Sequence, residues 1–238
     1  MKLFWQWSVF FFGLFPFKIR KKLVRLLSTR MLNAYADISV AGQENLKAVE
    51  DQRVIFVANH LSNADAIVIR HVLQGREPVF LAGVKLQEEK NSKLMLETFD
   101  TIIINPEQAD RKALTEAVRV LKNERSVLVF PEGTRSRDGS MIHGKKGVLL
   151  LARFSKALIV PIGLEGTEKL VPISETSIDR EFFQKAKVKV KFGKPFTLPK
   201  IKSKDKKNLE EETLRFIMCK IACLLSPEYK GVYSECHD

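Results

Sequence analysis

Two short polar runs hold the residue types that do chemistry. In Val54-Ile55-Phe56-Val57-Ala58-Asn59-His60-Leu61-Ser62-Asn63-Ala64-Asp65, an apolar run stops at a turn that places Asp65 five residues after His60. An imidazole that donates Nδ1–H to a carboxylate leaves Nε2 as a base, so the two residues read as one proton-transfer unit. The run Ser126-Val127-Leu128-Val129-Phe130-Pro131-Glu132-Gly133-Thr134-Arg135-Ser136 repeats the form, apolar residues ending in a polar turn. Arg135 offers a planar fork of donors suited to a phosphate, Thr134 and nearby backbone N–H groups add more, and Gly133 lets the backbone approach a ligand. Glu132 would repel a phosphate and is read as an acceptor for a substrate hydroxyl or as the group that holds Arg135. Plainer readings exist: an Asp in a first helical turn is favourable on dipole grounds alone, and the second run also suits an ordinary strand-to-loop turn.

These side chains need elements that bring them together. The β-branched and aromatic runs read as strands buried on both faces, and the apolar spacing of residues 66–73 reads as a helix. His60 is then expected just past the carboxyl end of a strand, with Asp65 in the first turn of the next helix and Ser62 or Asn63 capping it. In open α/β sheets that end of the strands binds ligands, and the Glu132 turn is expected at the same edge. Further strands are expected at residues 78–82, 101–104, 157–163 and 187–192, with Pro161 near an exposed end, and helices at 109–121, 147–154 and 209–225. The alternation implies an α/β fold, a mixed, mostly parallel sheet flanked by helices.

A chain of 238 residues with 45% hydrophobic composition can bury one sizeable core. Its net charge of +12 favours a polyanionic partner: a nucleic acid, an anionic membrane surface or a phosphate-bearing substrate. Aromatics interleaved on a basic face, which nucleic-acid binding would call for, are missing. Cys219, Cys223 and Cys236 suggest neither a disulfide framework nor a zinc set, and fit a reducing compartment. The run Gly139 to Lys145 has P-loop glycine spacing, but Lys146 stands where Ser or Thr is required, which excludes nucleotide hydrolysis of that type. Residues 3–17 are apolar, include Trp5 and Trp7, and span about 22 Å as a helix, short of a bilayer core of about 30 Å. Lys18, Arg20, Lys21, Lys22 and Arg25 follow, so residues 1–35 read as an interfacial membrane helical segment on the cytoplasmic face. Residues 36–200 form the main domain, and 201–238 a basic linker, an amphipathic helix and a loosely ordered tail.

His60 to Asp65 matches His-x-x-x-x-Asp, and Phe130 to Ser136 reads Phe-Pro-Glu-Gly-Thr-Arg-Ser. With Val40-x-Gly42-x-Glu44-Asn45-Leu46 upstream and Val160-Pro161-Ile162 downstream, residues 38–198 resemble the glycerophospholipid acyltransferase family, and within it the 1-acylglycerol-3-phosphate acyltransferases. The resemblance implies a glycerolipid acyltransferase-like fold, with His60 as general base and Asp65 orienting it. Glu132, Gly133, Thr134 and Arg135 would bind the glycerol phosphate of a lysophosphatidic-acid-like acceptor, which becomes phosphatidic acid. It also implies a thioester donor, acyl-CoA or acyl carrier protein, and no cofactor or metal. The chain lacks a Gly-x-Ser-x-Gly elbow, so transfer without a covalent acyl-enzyme is expected. One departure stands out: where the family's second motif has an Arg after the strand at Ile102-Ile103-Ile104, this chain has Asn105-Pro106. Either Arg111 or Lys85 substitutes, or the acceptor is a different one, such as glycerol 3-phosphate or another lysophospholipid. A non-catalytic basic membrane- or nucleic-acid-binding protein would explain the charge but not His60 and Glu132 at strand ends.

Overall fold

Seven strands form one sheet in the computed structural model, which describes residues 16–73, 75–84, 99–105, 110–123, 125–174, 181–199 and 206–237. They are β1 (Ala36–Ala41), β2 (Val54–Ala58), β3 (Val79–Gly83), β4 (Thr101–Ile104), β5 (Val127–Val129), β6 (Leu158–Glu165) and β7 (Ala186–Phe192). The order across the sheet is β1-β7-β6-β2-β5-β3-β4, and only the β6–β7 pairing is antiparallel. The helices are α1 (Phe17–Tyr35), α2 (Gln43–Lys47), α3 (Ala64–Val72), α4 (Arg111–Lys122), α5 (Gly147–Ser155), α6 (Thr167–Leu170) and α7 (Lys206–Ala222). The fold class read from the alternation is the one observed.

All five residues of β2 are buried, because alternate side chains enter separate cores on the two faces of the sheet. Ile55 and Val57 pack with Leu121, Leu149 and Ile217 of α4, α5 and α7. Val54, Phe56 and Ala58 pack on the other face with Leu32 of α1, Ile67 of α3 and Leu170 of α6. β7 has one buried face, Val188, Val190 and Phe192, while its lysines point outward. The upstream Gly42–Asn45 run has a structural role: Gly42 takes φ +74°, a Cβ there would collide with the Phe192 carbonyl oxygen, and Asn45 Nδ2 donates to that oxygen at 2.9 Å.

Three expectations are corrected. Pro161 lies inside β6, paired with Val57, rather than near an exposed end. Its carbonyl accepts from Gly193 N–H, just past the end of β7, so its missing N–H faces that side and the parallel pairing with β2 loses no hydrogen bond. The tail is ordered and anchored: short 3₁₀ turns at Pro227–Tyr229 and Gly231–Tyr233 bury Tyr229, Tyr233 and Cys236 in the α7 core. Cys219 and Cys236, which suggested no disulfide, are joined in one and tie that tail to α7, with Cys223 outside that bond.

No helix among the described residues is long and apolar enough to cross a membrane. Within the expected interfacial segment, residues 1–15 lie outside the described residues. The rest is α1, which exposes Phe17, Ile19, Leu26 and Leu27 on a helix that also carries Lys18, Lys22 and Arg30 at its surface.

Candidate active site

The register that pairs Val57 with Val129 carries β2 and β5 to the same rim and sets His60 against Glu132. His60 N–H donates to Glu132 Oε1 at 2.9 Å, and Ser136 N–H donates to the His60 carbonyl at 2.8 Å. The two polar turns are therefore laced together through backbone groups, which fixes one relative to the other.

At the ring, His60 Nδ1 lies 2.7 Å from Asp65 Oδ2. A carboxylate only accepts, so Nδ1 carries the proton and Nε2 presents its lone pair. Asp65 is fully buried, and its Oδ2 also accepts the N–H groups of Leu61 at 2.7 Å and Ser62 at 2.9 Å. Three donors hold one oxygen, so the carboxylate cannot swing without breaking the turn. Phe130 stacks on the imidazole with ring centroids 4.1 Å apart and planes 15° from parallel. The ring is thus held at one nitrogen and one face, while the His60 side chain remains 19% exposed. Among the described residues Nε2 has no hydrogen-bond partner.

The helix start differs slightly from expectation. Ser62 Oγ accepts Ala64 N–H and donates to the Val171 carbonyl, whereas Asn63 gives its amide to Glu181 Oε2 at 2.7 Å. Buried Asn59 bonds both backbone groups of Leu164, extending the β2–β6 pairing by a side chain.

Glu132 is placed at the rim but faces inward, 1% exposed. Its second oxygen, Oε2, accepts Ile142 N–H at 2.9 Å, so both oxygens are taken by backbone donors. Burial pushes its carboxyl up to about 7, against the two N–H bonds, which favour the charged form. Arg135 is held not by Glu132 but by buried Glu181, with Nη1 at 2.8 Å from both carboxylate oxygens.

Gly133 sits at φ +69°, and a Cβ there would come within 3.0 Å of Lys145 Cδ and 3.5 Å of its Nζ. Lys145 therefore lies across the Gly133 turn, its N–H donating to the Pro131 carbonyl at 2.8 Å. Thr134 is exposed beside it. Arg111 is exposed at the head of α4, the helix that follows β4, and β4 lies three strands from β2, about 14 Å across the sheet by strand spacing. Lys85 lies outside the described residues. Sequence reading passed over three residues here. Phe130 looked like the end of a strand, Lys145 drew notice only for its glycine spacing, and Glu181 carries no local signal. Among the described residues no group of three or more His, Cys, Asp or Glu is arranged to hold a metal ion.

The sequence model of the family described as Acyltransferase matches residues 37–165. A 1-acyl-sn-glycerol-3-phosphate acyltransferase of Limnanthes douglasii is 33% identical over 138 residues, 55% of this chain and 46% of that protein. A probable 1-acyl-sn-glycerol-3-phosphate acyltransferase of Mycoplasma pneumoniae is 26% identical over 214 residues, 85% of this chain and 78% of that protein. The chain spans about half the length of the plant relatives it matches. The crystal structure of the 1-acyl-sn-glycerophosphate (LPA) acyltransferase PlsC from Thermotoga maritima is similar, with a TM-score of 0.60 and 28% identity over 90% of this chain and 87% of that one. With the family's model covering more than half of the sequence and both motifs meeting at one rim of the matching fold, the chain belongs to the acyltransferase family.

Proposed function

We propose that this protein moves a fatty acyl chain from a thioester donor to the free hydroxyl of a lysophosphatidic-acid-like acceptor, giving phosphatidic acid. The observation that carries this reading is the His60–Asp65 pair, with Nε2 unpartnered among the described residues, on a rim that also bears Thr134, Arg135 and Lys145. An acceptor alcohol is a weak nucleophile, and Nε2 takes its proton as the oxygen attacks the thioester carbonyl. The tetrahedral intermediate collapses with C–S cleavage, and the imidazolium returns the proton to the departing thiolate. A positioned base contributes typically 10²–10⁴-fold, and Asp65 supports the transient cation.

Arg135 and Thr134 hold the acceptor's phosphate, and Lys145 stands in for the missing second-motif Arg because its side chain crosses the same turn. Glu132 acts by fixing the His60 backbone. The donor is acyl-CoA or acyl carrier protein, neither of which this reading ranks. The basic face and exposed apolar residues of α1 hold the enzyme peripherally on an anionic membrane surface, on the cytoplasmic side.

Purified protein incubated with both donor types and a panel of lysophosphatidic acid, glycerol 3-phosphate and other lysophospholipids, with products read by mass, tests the reading. Acylation of lysophosphatidic acid above the rest is expected. Preference for another acceptor would keep the chemistry and replace the substrate. No product with any pair would overturn the function.

A further inference from the structure

A second cationic site lies at the opposite edge of the sheet from His60. β3 begins at Val79, just after Arg76 and Glu77, while α3 runs from the catalytic rim back toward that edge and ends near Arg70 and His71. Between α1 and this turn is an open cavity of about 310 Å³, lined by Arg25, Leu26, Arg70, His71, Arg76 and Glu77 among others. Three arginines line it against one glutamate, and that carboxylate is bound to Arg25, whose Nη2 donates to Glu77 Oε2 at 2.8 Å.

Arg70 is the informative member. Its Nη2 donates to Ser28 Oγ at 2.8 Å and its guanidinium lies 5.3 Å from the Phe99 ring centroid, but Nη1 is buried with no acceptor. A buried unmade hydrogen bond on a charged group is costly. Burial, and then the nearby positive charge of Arg25, hold Arg70 below the usual arginine range. Arg76 makes one long bond, 3.3 Å to the Leu46 carbonyl. Mutually repelling, partly buried forks around a cavity suit an anion with several acceptor oxygens, and guanidinium pairs with phosphate in two-point geometry. One wall of the cavity is Leu26, 49% exposed on the helix that also exposes Phe17, Ile19 and Leu27.

We propose that Arg25, Arg70 and Arg76 form a non-catalytic binding site for a phosphate group, separate from the acceptor site at the catalytic rim. The apolar side chains beside it on α1 favour a phosphate carried on a phospholipid over a free one. Such a site would retain the enzyme on phosphate-rich membrane independently of turnover, and it does not rest on the identity of the acyl acceptor.

The test uses the full chain carrying His60→Ala, so that binding is read without chemistry. Partition onto phosphatidylcholine vesicles is compared with and without phosphatidylglycerol, and thermal stabilisation by inorganic phosphate is measured alongside. Adding Arg70→Gln and Arg76→Gln is expected to weaken the phosphatidylglycerol-dependent partition about 10-fold, as for loss of a charge-assisted pair. The pair Lys112→Gln and Lys122→Gln on α4, which removes the same charge elsewhere, is expected to change it less than about 2-fold. Stabilisation by inorganic phosphate that the double variant loses would assign the site to free phosphate. Equal loss in both double variants would reduce the effect to net charge and overturn the site, as would no loss in either. Arg76→Gln alone, at a half-buried position with one weak bond, gives the same reading if the double variant fails to fold.

Discussion

The backbone N–H of His60 donates to Glu132 Oε1, while the other Glu132 oxygen accepts Ile142 N–H. One buried carboxylate thus ties the base's own peptide to the loop that follows the Arg135 turn. That loop is held in turn by the C-terminal tail: Met141 N–H donates to the Tyr229 carbonyl, and Gly144 N–H to the Tyr233 hydroxyl oxygen. The end of the chain reaches the catalytic rim through three consecutive hydrogen-bonded links.

Glu132→Gln is expected to lower kcat about 10- to 100-fold with little change in KM for the acceptor. The amide oxygen can satisfy one N–H, and the amide nitrogen faces the other, leaving a buried donor unpaired at about 1–3 kcal/mol. A raised KM with kcat intact would instead make Glu132 a group that binds the acceptor.

The same residue leaves a signature in stability. With its carboxyl near 7 in the fold and 4.5 ordinarily, the native state binds the proton more tightly than the unfolded chain. Its contribution is fullest below about pH 4.5 and is lost as pH rises through about 7, by at most about 3 kcal/mol. Melting temperatures across that window should fall less steeply with pH in Glu132→Gln than in the parent; identical slopes would contradict the raised value.

Lys145→Ala is expected to raise KM for a phosphorylated acceptor about 10-fold, since it lies over the Gly133 turn, whereas Arg111→Ala should shift it less than 2-fold. Kinetics on lysophosphatidic acid decide between them. The reverse ranking would return the second-motif role to Arg111.

Much of this architecture is legible in the sequence because parallel strands write themselves as uninterrupted apolar runs, and the polar residues that end them have few other reasons to be there. The β2 and β5 turns could be placed at one rim from that pattern alone. What escaped was non-local: Arg135 meets Glu181 across 46 positions, and Asn59 meets Leu164 across 105, pairings with no local periodicity. The tail escaped for another reason. Its Tyr229, Tyr233 and Cys236 are spaced for 3₁₀ turns too short to carry a recognisable pattern.

Gly231→Ala tests the tail's reach. Gly231 sits at φ +51°, and a Cβ there would collide with the Met141 carbonyl oxygen, so the tail must shift off the loop that holds Glu132. A loss of about 1–3 kcal/mol in stability is expected together with reduced kcat. Full stability and activity would show that the tail does not brace the site.

The measurement that bears most directly on the central claim is acyl transfer by His60→Ala, with vesicle partition and melting temperature confirming that the variant is folded. If Nε2 is the base, the rate falls by about 10²–10⁴-fold or more while partition is unchanged. A rate within a few-fold of the parent would show that the proton leaves the acceptor by another route, and the assignment built on the His60–Asp65 pair would fail.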